Sequence, residues 1–104
     1  MSTTTKKHRS SNNICASDRS EIVEFSALDC QPCHSKERLV DGAVHDLRGA
    51  AEVVRVDVHN ESEAAERFKL RSVPTAIVVE DCKVTSRFSG LIDRDSLASA
   101  ASSH

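Results

Sequence analysis

The sequence predicts an α/β domain in three layers, with a mixed sheet of four or five strands and helices on both faces. Short β-branched runs alternate with segments of helical period, as in strand–helix–strand units. Such units join parallel strands by right-handed crossovers, whereas the last two predicted strands are too close for a crossover and must form an antiparallel hairpin. The 104 residues suffice for one core and not for two.

The first twenty residues are polar and basic, and they predict a flexible arm (residues 1–20) ahead of a folded domain (residues 21–104). Lys6, Lys7 and Arg9 could form a nucleic-acid-binding arm, but a tail rich in Ser, Thr and Asn is more typical of a disordered segment. The formal net charge of -2 gives no large field for holding nucleic acid or an anionic membrane. We therefore expect neither as a partner.

No apolar run approaches the roughly 20 residues that a membrane helix needs. The first residues also lack the apolar core of a signal peptide. We therefore expect a cytoplasmic protein. Because lasting structural disulfides are uncommon in that compartment, a closely spaced cysteine pair there favours catalysis or metal binding.

The first strand is predicted at residues 21–27, from the apolar run around Ile22, Val23 and Phe25. A helix follows Cys30, with Gly49 placed to end it. Its apolar side chains recur every three or four residues, at Leu39, Val40, Ala43, Val44 and Leu47. A second, β-branched strand covers residues 53–58.

A short helix is predicted over residues 61–70, with Ala64, Ala65 and Phe68 on its inner side. The segment Val73-Pro74-Thr75 then breaks the chain. Two strands follow at residues 76–80 and 83–88, separated by a turn at residues 81–82. Asp93 is placed to N-cap a last helix that runs to residue 100.

The stretch DCQPCH, residues 29–34, allows three kinds of chemistry. Cys-x-x-Cys-His is the attachment motif of a c-type haem with His34 as proximal ligand, but attachment usually needs an exported compartment, and Met1 is the only methionine. A structural zinc site commonly needs two such knuckles, and His34 would point about 100° away from Cys33 on a helix. We therefore predict no metal and no cofactor.

Dithiol chemistry agrees with more of the chain. Cys30 lies where a strand ends and a helix begins, and Pro32 is at an early helical position that tolerates its missing N–H. Free N–H groups and the helix dipole there stabilise a thiolate at Cys30. Cys33 is one turn away, within reach of a reversible disulfide. An exposed attacking thiol beside a resolving thiol is what thiol–disulfide exchange requires.

Residues 21 to about 101 resemble a thioredoxin. The matching segments are EIVEFSALDCQPC, VVRVDV, FKLRSVPT and the late FSG. The resemblance implies a thioredoxin-like fold and a protein-disulfide reductase of cell redox homeostasis, in which Cys30 attacks the substrate disulfide and Cys33 resolves the mixed disulfide. Its implied partners are disulfide-containing proteins and, as electron donor, an NADPH-dependent flavoprotein thioredoxin reductase.

The resemblance also implies a substrate surface. The proline that matches Pro74 is cis and faces the cysteines, and its neighbour Val73 offers backbone groups to an extended substrate segment. Gln31, Pro32 and Gly90 complete the implied surface.

Glu24 takes the place of the buried acid that thioredoxins carry under the dithiol, and Arg55 takes that of a nearby lysine. Glu24 is thus a candidate proton shuttle for Cys33. It should lie on the face of its strand that meets the active-site helix. Burial should raise the pKa of Glu24 if the guanidinium reaches solvent, and close pairing with Arg55 should keep the carboxylate charged.

The chain departs from the family at several positions. It has no Trp, and Ser26 and Asp29 stand at the two usual Trp positions, with Gln31 replacing a Gly and Arg38 a Pro. Asp29 should oppose thiolate formation at Cys30, and His34 and Lys36 could partly offset it. These departures motivate an alternative function, an interaction module or redox sensor without general reductase turnover.

Residues 1–20 show no convincing counterpart to the first strand and helix of thioredoxins. The strand at residues 53–58 could therefore be a sheet edge, which allows a weak dimer of an otherwise monomeric chain. Cys15 in the arm and Cys82 in a turn are expected to be incidental thiols, with a regulatory disulfide or dimer link as the alternative.

Overall fold

The computed structural model describes residues 14–15, 19–90 and 93–101. Its elements follow the predicted order: β1 (Ser20–Ser26), α1 (Gln31–Asp46), β2 (Ala51–Asp57), α2 (Ser62–Arg67), β3 (Thr75–Glu80), β4 (Lys83–Ser89) and α3 (Arg94–Ala101). Most of the predicted arm, including Lys6, Lys7 and Arg9, lies outside the described residues. None of the described helices is long and apolar enough to cross a membrane.

The four described strands form one mixed sheet in the order β2-β1-β3-β4. β1 runs parallel to β2, and β3 runs antiparallel to both β1 and β4. This confirms the predicted parallel pair and closing hairpin. Within the described part of the chain, β2 is an edge strand, as expected if no earlier strand covers it.

Helices pack on both faces of the sheet because the side chains of β1 alternate between them. Ile22 belongs to a buried cluster with residues of α1 and α3, among them Val40 and Leu97. Val23 and Phe25 face the opposite way, into a cluster that includes Ala64 of α2. Since alternate residues share a face, Glu24 points with Ile22 toward α1, as predicted.

Two helices end differently from the prediction. Gly49 was expected to end α1, but the C-cap is Leu47, and Arg48 adopts the left-handed conformation directly after it, with φ of 50°. Gly49 instead shapes the turn into β2, with φ of 90°. α2 ends at Arg67 rather than residue 70, because Lys69 turns left-handed with φ of 54°.

The predicted turn between the last two strands is a tight one. Asp81 and Cys82 have φ of 53° and 64°, and Glu80 pairs with Lys83 across them. Two consecutive positive φ values are typical of the two-residue hairpin turns whose twist matches that of the strands.

Ile14 and Cys15 of the predicted arm lie against the domain, and Ser20 already belongs to β1. Ile14 is 6% exposed and belongs to the same apolar cluster as Val23 and Phe25. The backbone N–H of Cys15 donates to Oε1 of Glu21 at 2.7 Å. Cys15, expected in a flexible arm, is therefore held beside the start of β1.

Candidate dithiol site

The first turn of α1 presents Cys30. After β1 the chain turns, and the N–H of Cys30 donates to the carbonyl oxygen of Ala27 at 3.2 Å. Cys30 is the N-cap of α1, with an extended backbone, and its sulfur accepts a hydrogen bond from the N–H of Cys33 at 3.1 Å. Pro32 stands in the first turn, where an N–H would have no partner inside the helix. The predicted helix-start position of Cys30 is confirmed.

Cys30 and Cys33 form a disulfide, with their Cα atoms 5.3 Å apart. Cys30 is half-buried, whereas Cys33 is only 4% exposed. One sulfur can thus be reached by another molecule while the other is shielded. Among the described residues, no group of three or more His, Cys, Asp or Glu side chains is placed to hold a metal ion.

The residues next to Cys30 are exposed, and one of them, Asp29, stands at a position where thioredoxins usually carry a Trp. Leu28 is 82% exposed, and the side chain of Asp29 is 88% exposed. His34 is also exposed. Lys36, expected to offset the charge of Asp29, is instead fully buried and hydrogen-bonds elsewhere. Of the two groups expected to offset Asp29, Lys36 is therefore turned away, and the histidine that lies near the Asp29 carboxylate is His59, with its Nε2 4.0 Å from Oδ1.

Glu24 is 2% exposed, and its Oε1 accepts a hydrogen bond from Nε of Arg55 at 2.8 Å. Its Oε2 is buried without a hydrogen-bond partner. Burial raises the pKa of Glu24 to about 7, although the neighbouring Arg55 cation lowers it. The loss of hydration outweighs the attraction of the closely paired guanidinium, so both the charged and the neutral form of this carboxyl group are populated near neutral pH.

The guanidinium of Arg55 interacts with three carboxylates. Its Nη2 donates to Asp41 Oδ1 at 2.6 Å, and its Nε lies 3.5 Å from Glu37 Oε2. Glu37 and Asp41 are about half exposed, so this network extends from the buried Glu24 to the surface of α1. Sharing one cation among three acids weakens the stabilisation that any single acid receives.

A cavity of about 450 Å³ connects the acid with the dithiol. Glu24, Cys33 and Arg55 all line it, and Ser26, in place of a bulky side chain, lines it as well. The sequence predicted that Glu24 lies under the dithiol, and the structure brings Glu24 and Cys33 to one solvent-accessible space. The cavity itself was not predicted, although the absence of Trp at position 26 was the signal for it.

Two of the predicted substrate-binding segments, at Pro74 and at Gly90, lie together beside the end of β1. The Val73–Pro74 peptide bond is cis, as the resemblance implied. Thr75 pairs with Phe25, so Pro74 lies beside the end of β1, from which the chain continues to Cys30. The N–H of Gly90 donates to the carbonyl oxygen of Pro74 at 3.0 Å.

Gln31 and Pro32 are exposed on the first turn of α1.

Sequence reasoning missed the role of Lys36. Its Nζ donates to the carbonyl oxygens of Phe88, at 3.2 Å, and of Gly90. Burial lowers the pKa of this ammonium group, and Glu24 raises it. The signal was its spacing, because Lys36 lies three residues after Cys33 and four before Val40, on the buried face of α1.

Comparisons with known proteins agree with the fold and the site. The Thioredoxin family model matches residues 2–103. A thioredoxin of Chlorobaculum thiosulfatiphilum is 25% identical over 91 residues, which cover 88% of this chain and 84% of that protein. A thioredoxin of Staphylococcus aureus (strain Mu50 / ATCC 700699) is 26% identical over 84 residues, 81% of each chain.

The similar solved structures include those of two thioredoxins. The structure of a mutant thioredoxin from Halobacterium salinarum NRC-1 has a TM-score of 0.81 at 23% identity, covering 99% of this chain and 95% of that chain. The crystal structure of Deadhead, a germline-specific thioredoxin of Drosophila melanogaster, has a TM-score of 0.73 at 28% identity, covering 86% and 90%. These matches confirm the predicted three-layer fold.

Proposed function

The chain belongs to the thioredoxin family of protein-disulfide oxidoreductases, and on that premise we propose that it reduces protein disulfides in cell redox homeostasis. The observation that carries the proposal is the Cys30–Cys33 disulfide at the start of α1, with one half-buried and one buried sulfur. The asymmetry suits a pair in which one thiol meets the substrate and the other acts only afterwards.

In the proposed cycle, the Cys30 thiolate of the reduced chain attacks a sulfur of the substrate disulfide. A Cys30–substrate disulfide forms, and the first substrate thiolate leaves. The Cys33 thiolate then attacks Cys30, which regenerates the Cys30–Cys33 disulfide and releases the second substrate thiolate. Two electrons pass to the substrate. The N–H of Cys33, which already points at the Cys30 sulfur, would stabilise the Cys30 thiolate before attack.

Glu24 is proposed to take the proton of Cys33 when the mixed disulfide is resolved. Both residues line the same cavity, and the free Oε2 of Glu24 can accept a proton, directly or through water. A carboxyl group with a pKa of about 7 exchanges protons well at neutral pH. The general base would then be matched to the pH at which the reaction runs.

Stopped-flow measurement of mixed-disulfide resolution at pH 7 tests this shuttle. Glu24→Gln should slow resolution by one or more orders of magnitude, within the 10²–10⁴ range typical of general acid–base catalysis. Glu66→Gln is the matched control, since it makes the same change on the exposed surface of α2 and Glu66 does not line the cavity. Equal rates for wild type and Glu24→Gln would rule out the shuttle and leave the dithiol proposal intact.

The proposed substrate surface combines Val73, Pro74 and Gly90 with the exposed first turn of α1, at Gln31 and Pro32. The hydrogen bond between Gly90 and Pro74 supports this, because it holds the two segments together beside the end of β1. An extended substrate segment would lie over Pro74 with its disulfide at Cys30.

The proposed electron donor is an NADPH-dependent flavoprotein thioredoxin reductase, and the proposed compartment is the cytoplasm. We propose a monomer in solution, with weak dimerisation through the edge of β2.

Insulin reduction by dithiothreitol tests the activity. Wild-type protein should accelerate insulin precipitation, and Cys30→Ser should abolish the acceleration because the attacking sulfur is gone. Cys33→Ser should instead accumulate a mixed disulfide between Cys30 and an insulin chain, because attack remains possible and resolution does not. A wild-type protein that behaves like Cys30→Ser would refute the proposed reductase.

A second candidate function is an interaction module or redox sensor without general turnover. The exposed Leu28 and Asp29 favour it, because they replace the usual surface beside the attacking cysteine. The reduction potential of Cys30–Cys33 separates the two functions. A reduction potential near that typical of thioredoxins, about -270 mV, supports a reductase. A cysteine pair that stays reduced under mild oxidants supports the interaction module.

A further inference from the structure

Two cysteines outside the active-site pair meet at the opposite end of the sheet. Cys15 is held at the start of β1 by its N–H, which donates to Oε1 of Glu21. Glu21 pairs with Val79 of β3, and β3 leads directly into the turn that contains Cys82. Cys30, in contrast, follows the other end of β1. The sheet thus brings together two cysteines that are far apart in sequence.

Cys82 is the neighbouring group that most strongly perturbs the thiol of Cys15, so the two side chains lie close to each other at this end of the sheet. Neither cysteine is in a disulfide in the structure. Ile14, buried beside Val79 and Ile77, fixes the backbone next to Cys15 from the other side. Cys15 is therefore positioned by the buried side chain of its neighbour Ile14 and by its own backbone hydrogen bond to Glu21.

The backbone at Cys82 is unusual for a cysteine. Its φ of 64° lies in the left-handed region, in the second position of a tight hairpin turn where Gly is strongly preferred. Cys15 also has a positive φ, of 75°. Side chains with a Cβ adopt this conformation at a cost that other contacts must offset. Both thiols are thus held at turn positions that a glycine would occupy more easily.

We propose that Cys15 and Cys82 form a second dithiol–disulfide pair, separate from Cys30–Cys33, that is oxidised by small disulfides such as oxidised glutathione. The pair does not depend on the proposed reductase activity, because it shares no residue with that site.

The two thiols have different roles. The neighbouring Cys82, burial and the charge of Glu21 raise the pKa of Cys15 to about 11, so this thiol keeps its proton near neutral pH. Cys82 is exposed and is therefore the sulfur that meets an incoming disulfide. Cys15 is the resolving thiol.

The oxidation proceeds in two exchanges. The Cys82 thiolate, its proton released to water, attacks oxidised glutathione, which forms a Cys82–glutathione disulfide and releases one glutathione thiolate. Cys15 then loses its proton and attacks Cys82, which forms Cys15–Cys82 and releases the second glutathione thiolate. The protein loses two electrons and two protons, and one oxidised glutathione becomes two reduced ones.

The test uses the full chain carrying Cys30→Ser and Cys33→Ser, in which Cys15 and Cys82 are the only thiols. The protein is equilibrated in glutathione buffers, alkylated with N-ethylmaleimide and weighed by mass spectrometry. We expect a monomer that has lost two hydrogen atoms and takes up no label. Peptide mapping of oxidised wild type should show the same link, which covers the case that the double variant folds poorly.

Two variants in this background test the geometry. Cys15→Ser should stop at a stable glutathione adduct on Cys82, because the resolving thiol is gone. Cys82→Ser with Lys83→Cys moves the cysteine one position along the hairpin, and its internal disulfide should form at least about tenfold less readily if proximity in the folded state drives the reaction.

The proposal would be overturned by two free thiols at equilibrium with oxidised glutathione, by a lasting adduct on Cys82 when Cys15 is present, or by disulfide-linked dimers. Equal oxidation of the variant with the shifted cysteine would also overturn it. Because no readout involves Cys30 or Cys33, a failure of the proposed reductase activity would leave these results unchanged.

Discussion

Replacing Glu24 by glutamine should remove a pH dependence of stability that the wild-type chain owes to one buried carboxyl group. The pKa of Glu24 rises from its ordinary value of 4.5 to about 7 because the side chain is buried, and Arg55 only partly compensates. At 1.36 kcal/mol per pKa unit, this rise corresponds to about 3 kcal/mol of unfolding free energy.

The sign follows from proton binding. Between pH 4.5 and about 7, the folded chain holds the Glu24 proton and the unfolded chain has released it. Stability therefore falls as the pH rises through this range, and it levels off once both states have lost the proton. Below pH 4.5 both states are protonated, so the group contributes nothing there. Glutamine cannot titrate, and the variant lacks this fall.

Urea unfolding at pH steps from about 4 to about 8 measures the effect. The protein is kept without reductant, so that Cys30 and Cys33 remain in their disulfide and do not titrate. The stability of wild type minus that of Glu24→Gln should fall by about 3 kcal/mol across the range. Histidines and other groups titrate in both proteins and cancel in the difference.

Glu66→Gln is the control, because it makes the same change in net charge on the exposed surface of α2. It should show no comparable fall. A difference between wild type and Glu24→Gln that stays flat from pH 4 to pH 8 would refute the reasoning. It would show that the ion pair with Arg55 keeps the carboxylate charged in the folded chain despite its burial.

Two further substitutions test how α1 is held. Lys36→Met keeps the buried stem but leaves the carbonyl oxygens of Phe88 and Gly90 without their donor, which should cost about 1–3 kcal/mol in urea unfolding. A variant as stable as wild type would show that burying the ammonium group cancels its hydrogen bonds. Gly42→Ala should gain less than the roughly 1 kcal/mol typical of this change within a helix, because the new Cβ would lie 3.0 Å from the Arg94 guanidinium. Thermal unfolding should show the full gain when Arg94→Ala is added, and an unchanged gain would mean that Arg94 simply moves aside.

The order and type of the elements could be predicted because each depends on a local apolar pattern. β1 and β2 are β-branched runs, and the buried face of α1 repeats every three or four residues. Helix ends were less predictable, because Arg48 and Lys69 take left-handed conformations that the sequence usually marks with glycine. No feature of the neighbouring sequence predicts that a residue with a charged side chain will adopt a left-handed conformation.

The site divides in the same way. The pairing of Cys30 with Cys33 follows from spacing, and the cis bond before Pro74 and the proximity of Glu24 to Arg55 follow from the family resemblance. The direction in which the pKa of Glu24 shifts could not be predicted, because it depends on the balance between burial and an arginine shared with other acids. The burial of Ile14 was missed because a single apolar residue in a polar segment carries no periodicity.

The buried Lys36 has a consequence for how a partner is bound. It lies on the helix that carries the cysteines and hydrogen-bonds the segment that reaches Gly90, which in turn holds Pro74. The helix and the cis-proline segment are therefore fixed relative to each other before any partner arrives. Docking then orders little of the protein's own backbone, so less of the contact energy is lost as conformational entropy. Removing the hydrogen bonds of Lys36 should therefore raise the dissociation rate of a non-covalent complex more than it lowers the association rate.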